Sequence, residues 1–268
     1  MSVIIVIPVY KNPDADELIS LRRCCQVLSR YEMSLVCPDG FDTSTFHTLW
    51  GEYGLVLKED RFDARFFKNL AGYNRLLLSE EFYARFDEYD YMLIYQPDAY
   101  VYEDKLMEWC NKGYDYVGAP IFGSFTDTMI RWEYGRVGNG GLSLRRIKAY
   151  TDYFCGSKNV LPIRSIAQRI GLKDKWYTRW LVWIMMSLGW RNKPKSYANN
   201  WNYNEDDFWS GALCGTNYGL TKPSIYEAMD FAFERFPQEL YGVLGHLPFG
   251  VHAWRKYEYE EFWKDRIV

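Results

Sequence analysis

An α/β fold on a largely parallel sheet is what this sequence predicts, and two observations carry the prediction. Short runs rich in branched and aromatic residues, at 3–7, 34–37, 55–57, 91–95 and 116–118, alternate with longer segments of helical spacing. Strands that alternate with helices imply parallel neighbours joined by crossover helices. Composition agrees: 48% of the 268 residues are hydrophobic and 25% charged, which is globular and leaves room for one large α/β domain or two small ones.

The elements follow in order. Met1-Ser2-Val3-Ile4-Ile5-Val6-Ile7 lacks a basic flank and meets Pro8 too soon for a signal peptide, so it reads as a first, buried strand. Residues 14–28 have helical spacing, with acids early and Arg22 and Arg23 later, as the helix dipole favours. A second strand at 34–37 runs into the turn Pro38-Asp39-Gly40, and a third is expected at 55–57. Helices are expected over 66–78 and 80–86. The strand at 91–95 stops at Pro97, which has no donor for the ladder. An extended piece at 100–102, a helix over 104–110 and a strand at 116–118 come next.

Val137-Gly138-Asn139-Gly140-Gly141 then changes the character of the chain. Three glycines in four positions let backbone approach a ligand closely, although a hairpin turn explains Asn-Gly as well. Residues 160–200 read as an insertion. The last third is helical over 206–213 and 224–236, then irregular through 248–254.

Several classes are excluded. Pro8-Val9-Tyr10-Lys11-Asn12 stands after the first strand where a dinucleotide fingerprint would need glycines, and no P-loop spacing occurs. A net charge of -3 gives no global positive field, so no nucleic-acid partner is expected. The six cysteines form no CxxC pair and do not cluster with the three histidines in a zinc spacing. Reduced, buried thiols are expected. No segment approaches the roughly 18 apolar residues of a membrane span, which points to a cytoplasmic protein.

Three polar features carry candidate chemistry. Gln96-Pro97-Asp98 places a carboxylate at the carboxyl end of a central strand, where open α/β sheets bind ligands and where an anionic oxygen suits a hard divalent cation. The same aspartate would serve a plain turn. Asn204-Glu205-Asp206-Asp207 precedes an apolar-periodic segment. It reads as first-turn chemistry, with Asn204 and Asp207 like a capping box, or as a fixed, ionised carboxylate that orients an attacking hydroxyl. His252 is the third feature, and a lone histidine serves packing as readily as ligation.

In this order the features resemble the GT-A glycosyltransferases, whose recurring parts are a DxD metal motif, a glycine-rich loop, an xED motif and a C-terminal histidine. Here these would be Gln96-Pro97-Asp98, Gly138-Asn139-Gly140-Gly141, Asn204-Glu205-Asp206 and His252. More narrowly, residues 96–101, 114–120, 137–145, 204–210 and 249–254 are similar to a bacterial family of glycosyltransferase-like proteins described mainly as a domain of unknown function. The resemblance implies a single GT-A-like, Rossmann-like domain over 1–268, with a mixed, mainly parallel central sheet flanked by helices. Residues 1–120 would form the nucleotide-binding half and 121–268 the acceptor half.

It also implies a metal-dependent transfer from a nucleotide-diphosphate sugar, a UDP-sugar first, to a hydroxyl of a glycan or lipid-linked acceptor in polysaccharide assembly. Asp98 and His252 would hold Mn²⁺ or Mg²⁺. Asp206 would be the base of an inverting reaction, and Glu205 would contact donor or acceptor hydroxyls. Gly140 and Gly141 would line the sugar site, while Pro8, Tyr10, Asp39 and Gln96 would hold the nucleotide. Gln96 departs from the pattern, because it replaces the first DxD acid. A catalytically silent nucleotide- or sugar-binding module and a sugar nucleotidyltransferase are the alternatives.

The insertion holds a distinct segment, residues 173–195, with six basic residues and one acid around a Trp- and Met-rich run. Such a composition suits an interfacial helix on the inner face of a membrane. A buried helix closing the acceptor side, or a homodimer contact, would use it equally.

Overall fold

The computed structural model describes residues 1–123, 128–169 and 176–267. Eleven strands occur among them: β1 (Val3–Pro8), β2 (Glu32–Pro38), β3 (Leu57–Phe62), β4 (Tyr91–Tyr95), β5 (Ala99–Val101), β6 (Tyr116–Gly118), β7 (Pro120–Phe122), β8 (Gly135–Val137), β9 (Leu142–Arg146), β10 (Ala232–Phe233) and β11 (Gly250–His252). The central sheet has six strands in the order β3-β2-β1-β4-β9-β6. The first four are parallel, and β9 runs antiparallel between β4 and β6. The sheet is therefore mixed and mainly parallel, flanked by helices on both faces.

Period-2 alternation explains why a strand as apolar as β1 sits at the centre. Val3, Ile5 and Ile7 join one core with the helix Ala15–Val27, while Ile4 and Val6 join another with the helices Leu70–Leu77, Glu80–Ala84 and Ile147–Cys155. The helix Ala15–Val27 starts on a capping box in which Asp14 Oδ1 accepts from the Glu17 amide at 3.0 Å and Glu17 Oε2 from the Asp14 amide at 3.0 Å. A third core, around Trp254, Phe262 and Trp263, backs a small sheet in the order β10-β11-β5. All six cysteines are free thiols; Cys24, Cys25, Cys37 and Cys110 are buried as expected, but Cys155 and Cys214 are exposed.

Several expectations need correction. The third strand is β3 at Leu57–Phe62, not 55–57. It is an edge strand with polar residues at most positions, so its period carries little hydrophobic signal, and Val56 lies exposed before it. The helix expected over 66–78 is broken. A turn of 3₁₀ helix at Ala64–Phe67 ends, Asn69 caps the next helix by accepting from the Gly72 amide at 2.9 Å, and Gly72 lies against the Arg65 and Phe66 carbonyls where a Cβ would clash.

The helix expected over 224–236 ends at Phe231. Residues 232–233 become β10, and Phe236 takes a left-handed conformation with φ 58° ahead of Pro237. The stretch taken as irregular, 248–254, contains β11. No basic residue lies in the last turn of Ala15–Val27; Arg23 instead donates to the Val101 carbonyl at 2.9 Å and to that of Tyr102, tying the helix to β5. Asn204 makes no side-chain cap. Gly138–Gly141 is not a hairpin, because β8 pairs with β7 and β9 with β4 and β6. Among the described residues no helix is long and apolar enough to cross a membrane.

Candidate active site

The site grows from the end of β4. Pro97 stops the strand, and the Ala99 amide closes a tight turn onto the Gln96 carbonyl at 2.8 Å, so Asp98 projects from the turn. β5 then leaves in a new direction and pairs antiparallel with β11, which sets His252 opposite Ala99, with the Ala253 amide bonded to the Asp98 carbonyl at 3.1 Å. Strand register thus delivers an imidazole from 154 residues along the chain. His252 Nε2 lies 3.3 Å from Asp98 Oδ1 and 3.1 Å from Gln96 Oε1, and Nδ1 lies 3.2 Å from Glu234 Oε1.

Charge is shared among these groups. Burial alone pushes the His252 imidazole down, but Asp98 and then Glu234 outweigh it and raise it to about 10. Burial likewise pushes Asp98 up, and the facing imidazole with Lys256 more than reverses this, so the carboxyl lies below its ordinary range. Gln96 Nε2 points the other way, onto the Tyr73 hydroxyl at 3.2 Å. That leaves the amide oxygen facing His252.

The glycine loop joins this group to the second acidic segment. The Asn139 side chain accepts from the Gly141 amide at 3.0 Å, and the Gly141 carbonyl accepts from the Gln96 amide at 2.9 Å. Neither Gly140 nor Gly141 has a positive φ; each is needed for close approach. A Cβ on Gly141 would lie 2.0 Å from His252 Nε2, and one on Gly140 would lie 2.6 Å from Glu205 Oε1 and 3.3 Å from Asp206 Cβ. Adjacent residues therefore touch the imidazole and the acids, which puts Asp206 Cβ within about 12 Å of His252 Nε2.

The two acids have different surroundings. Glu205 is buried, and its carboxylate takes a two-pronged contact from the fully buried Arg145, at 3.1 and 2.7 Å. Arg145 also donates to Tyr83 Oη at 2.9 Å and to Ser143 Oγ at 3.1 Å. Both Glu205 oxygens are thus engaged by Arg145, and Oε1 also faces Gly140, keeping acceptor capacity towards the loop. Asp206 carries the free carboxylate of the segment. It is not firmly ionised as expected: burial, then Glu205 and Asp207, raise it to about 7, despite the Asp207 amide bonding its Oδ1 at 2.8 Å. Asp207 is neutralised by Arg136.

A cleft of about 450 Å³ adjoins the turn. Pro8, Val9, Tyr10 and Lys11 from the end of β1, Phe67, Lys68, Asn69 and Tyr73 from the broken helix, and Gln96 and Asp98 all line it. Of the residues expected to hold a nucleotide, Pro8, Tyr10, Gln96 and Asp98 are there. Asp39 is not, because the turn after β2 leaves it exposed outside the cleft. Sequence reasoning missed Lys11, Lys68, Tyr73 and Glu234. A basic residue three places after the first strand was the one available signal, at Lys11; Lys68 and Tyr73 were hidden inside a pattern read as continuous helix.

Among the described residues no group of three or more His, Cys, Asp or Glu could cage a metal ion. What the turn offers is an imidazole nitrogen with a carboxylate oxygen 3.3 Å and an amide oxygen 3.1 Å from it. That set fits a divalent cation only if His252 Nε2 gives up its proton as the metal enters and other oxygens complete the shell, as phosphate groups of a ligand do. Glu234 on Nδ1 is the outer partner that keeps Nε2 facing inward.

A family profile described as "Protein of unknown function (DUF5672)" matches residues 57–252. No curated protein sequence matches the chain. Among solved structures, an active-site mutant of LgtC is similar at a TM-score of 0.50 and 14% identity, over 93% of this chain and 86% of that one. The apo form of the glycosyltransferase GlyE in Streptococcus pneumoniae TIGR4 gives 0.47 at 12% identity over 94% of this chain and 54% of that one. TarS of S. aureus gives 0.37 at 12% identity over 57% of this chain, which spans only 30% of the TarS chain. The likeness to LgtC shows the fold, which is the GT-A fold.

Proposed function

For this chain, which belongs to the DUF5672 family, we propose transfer of a sugar from a nucleotide-diphosphate sugar, a UDP-sugar first, to a hydroxyl of a glycan or lipid-linked acceptor. The observation that carries the reading is the pairing of Asp98, which lines the cleft, with His252, and the tie from that pair through Gly140-Gly141 to Asp206. Solved structures of this fold include LgtC, a galactosyltransferase seen in complex with donor and acceptor sugar analogs.

The roles follow from the surroundings. Tyr10, 63% exposed at the rim, offers a ring face to a base, and Lys11 and Lys68 offer positive charge along the cleft. Asp98, His252 and the Gln96 amide oxygen would hold Mn²⁺ or Mg²⁺ together with the donor diphosphate. The cation supplies charge neutralisation of the leaving diphosphate when bound. Asp206 takes the proton of the acceptor hydroxyl. A carboxyl near 7 is half ionised at neutral pH and basic enough to work, a contribution of about 10²–10⁴-fold. With a protein base on the acceptor side, attack is in line and the anomeric centre inverts.

Calorimetric titration with UDP, with and without Mn²⁺, tests this. Wild type should bind more tightly with the metal, and Asp98→Ala should lose at least about 10–100-fold of that affinity. Equal binding without metal in both proteins would overturn the transferase reading. It would favour a silent binding module, the alternative that Gln96 in place of an acid supports.

A further inference from the structure

The helix Trp176–Ser187 has no buried residue, although nine of its twelve residues are apolar or aromatic. Trp176 is 78% exposed, and Trp180, Leu181 and Met185 are exposed with it; Leu188 and Trp190 continue the surface just beyond. Leu181, Met185 and Leu188 recur at four- and three-residue spacing and share one face; Trp180 lies about 100° and Trp176 about 140° round the helix from Leu181, so the exposed apolar surface extends round that side. A helix stabilised by water alone would carry polar residues there. Polar staples at its carboxyl end hold it in place. The fully buried Asn192 donates to the Met186 and Leu161 carbonyls and accepts from the Leu161 amide, and Asn159 donates to the Ser187 carbonyl at 2.8 Å.

Charge identifies the occupant of this face. From Trp176 to Tyr203 there is no Asp or Glu, against Arg179, Arg191, Lys193 and Lys195, in a protein of net charge -3. Lys195 pairs with Glu80 and Lys193 with the Ser157 carbonyl; Nε of the half-buried Arg179 is itself buried without a hydrogen-bond partner, and Arg191 lies over the Trp190 ring. Lys173, Asp174 and Lys175 lie outside the described residues. Exposed tryptophan and aliphatic side chains beside unopposed cations match the boundary between acyl chains and anionic headgroups.

We propose that this helix lies in the plane of a bilayer surface bearing anionic lipid, its apolar face about 5–10 Å deep in the headgroup region. The same insertion leads through the helix Pro194–Asn199 and Trp201, whose indole donates to the Asn204 carbonyl at 2.9 Å, directly into Asp206. Docking there holds the acceptor side of the site at the membrane. Vesicle binding itself does not depend on the reaction; that the docked face is the acceptor side rests on the function proposed above.

Co-sedimentation of the full chain tests it, using vesicles of phosphatidylcholine alone and of phosphatidylcholine mixed with phosphatidylglycerol. Wild type should pellet with the anionic vesicles and far less with the neutral ones, and its tryptophan emission should shift to the blue. Trp180→Ser/Leu181→Ser should partition at least about tenfold less. Arg179→Gln/Arg191→Gln should lose about fivefold per charge on anionic vesicles only. Unchanged thermal midpoints would establish that both variants are folded. Equal recovery of all three proteins, or a wild type that stays in the supernatant without a blue shift, would overturn the proposal. A wild-type dimer that Trp180→Ser/Leu181→Ser converts to monomer, with neither bound to vesicles, would overturn it in favour of a subunit contact.

Discussion

At the scale of single residues, Asp206 is the side chain whose environment makes the sharpest forecast. Its carboxyl stands near 7 when folded and near its ordinary 3.8 when unfolded, so between those values the folded protein binds the extra proton. Stability from this group is therefore full at low pH, falls as pH rises from about 4 to 7, and is lost above 7. Asp206→Asn removes that loss. Above pH 7 it should be more stable than wild type by on the order of 2–4 kcal/mol, with the difference shrinking towards pH 4. Its kcat should fall about 10²–10⁴-fold, and the acidic limb near pH 7 should vanish from the rate profile. Thermal melts and pH–rate profiles on the two proteins would show both; a wild-type melt that does not change from pH 4 to 8 relative to the variant would contradict the forecast. Asp98 stood out in the sequence at the end of an apolar strand, Asp206 just ahead of an apolar-periodic segment, and His252 as a lone histidine near the end of the chain. Glu234 did not, since it reaches the site only through β10 and β11, and Glu205 looked like the twin of Asp206 until its partner Arg145, sixty residues away, was in view.

The glycine loop shows how an element as short as four residues sets the geometry of its neighbours. Gly141→Ala places a methyl 2.0 Å from His252 Nε2, the edge of a rigid ring held on its other side by Glu234. Loop or imidazole must move, at a cost of about 1–3 kcal/mol, and metal-enhanced UDP binding should disappear with the shift. Gly242→Ala is the contrasting case, within the helix Pro237–Leu244 and with nothing near its Cβ, and should stabilise by about 0.5–1 kcal/mol. Denaturant melts and calorimetry of the two variants check the pair. At this scale β1, β2, β4 and β6 were legible, because buried strands are uniformly apolar. β3 slipped because an edge strand is polar. β10 and β11 have two and three residues, too few to display a period, and their partners lie over a hundred residues away or in one another.

Across the whole molecule, one buried ion pair ties the sheet to the acidic segment. Arg145 comes from β9, and Glu205 from the far side of the 160–200 insertion. Glu205→Ala strands a guanidinium in the core and should cost about 3–5 kcal/mol, whereas Arg145→Met/Glu205→Leu should recover most of it. Equal losses in the single and double variants would show that the pair contributes shape instead of charge. The pairing of β5 with β11 has a further consequence for how the protein is made. Synthesis runs from the amino end, so Pro8, Tyr10, Gln96 and Asp98 leave the ribosome long before His252 does. A nascent chain can close the cleft around its first strands while the turn at 96–98 still lacks an imidazole. The pairing of Asp98 with His252 is completed late, when the strand at 250–252 docks, so a half-made molecule has the cradle without its clasp.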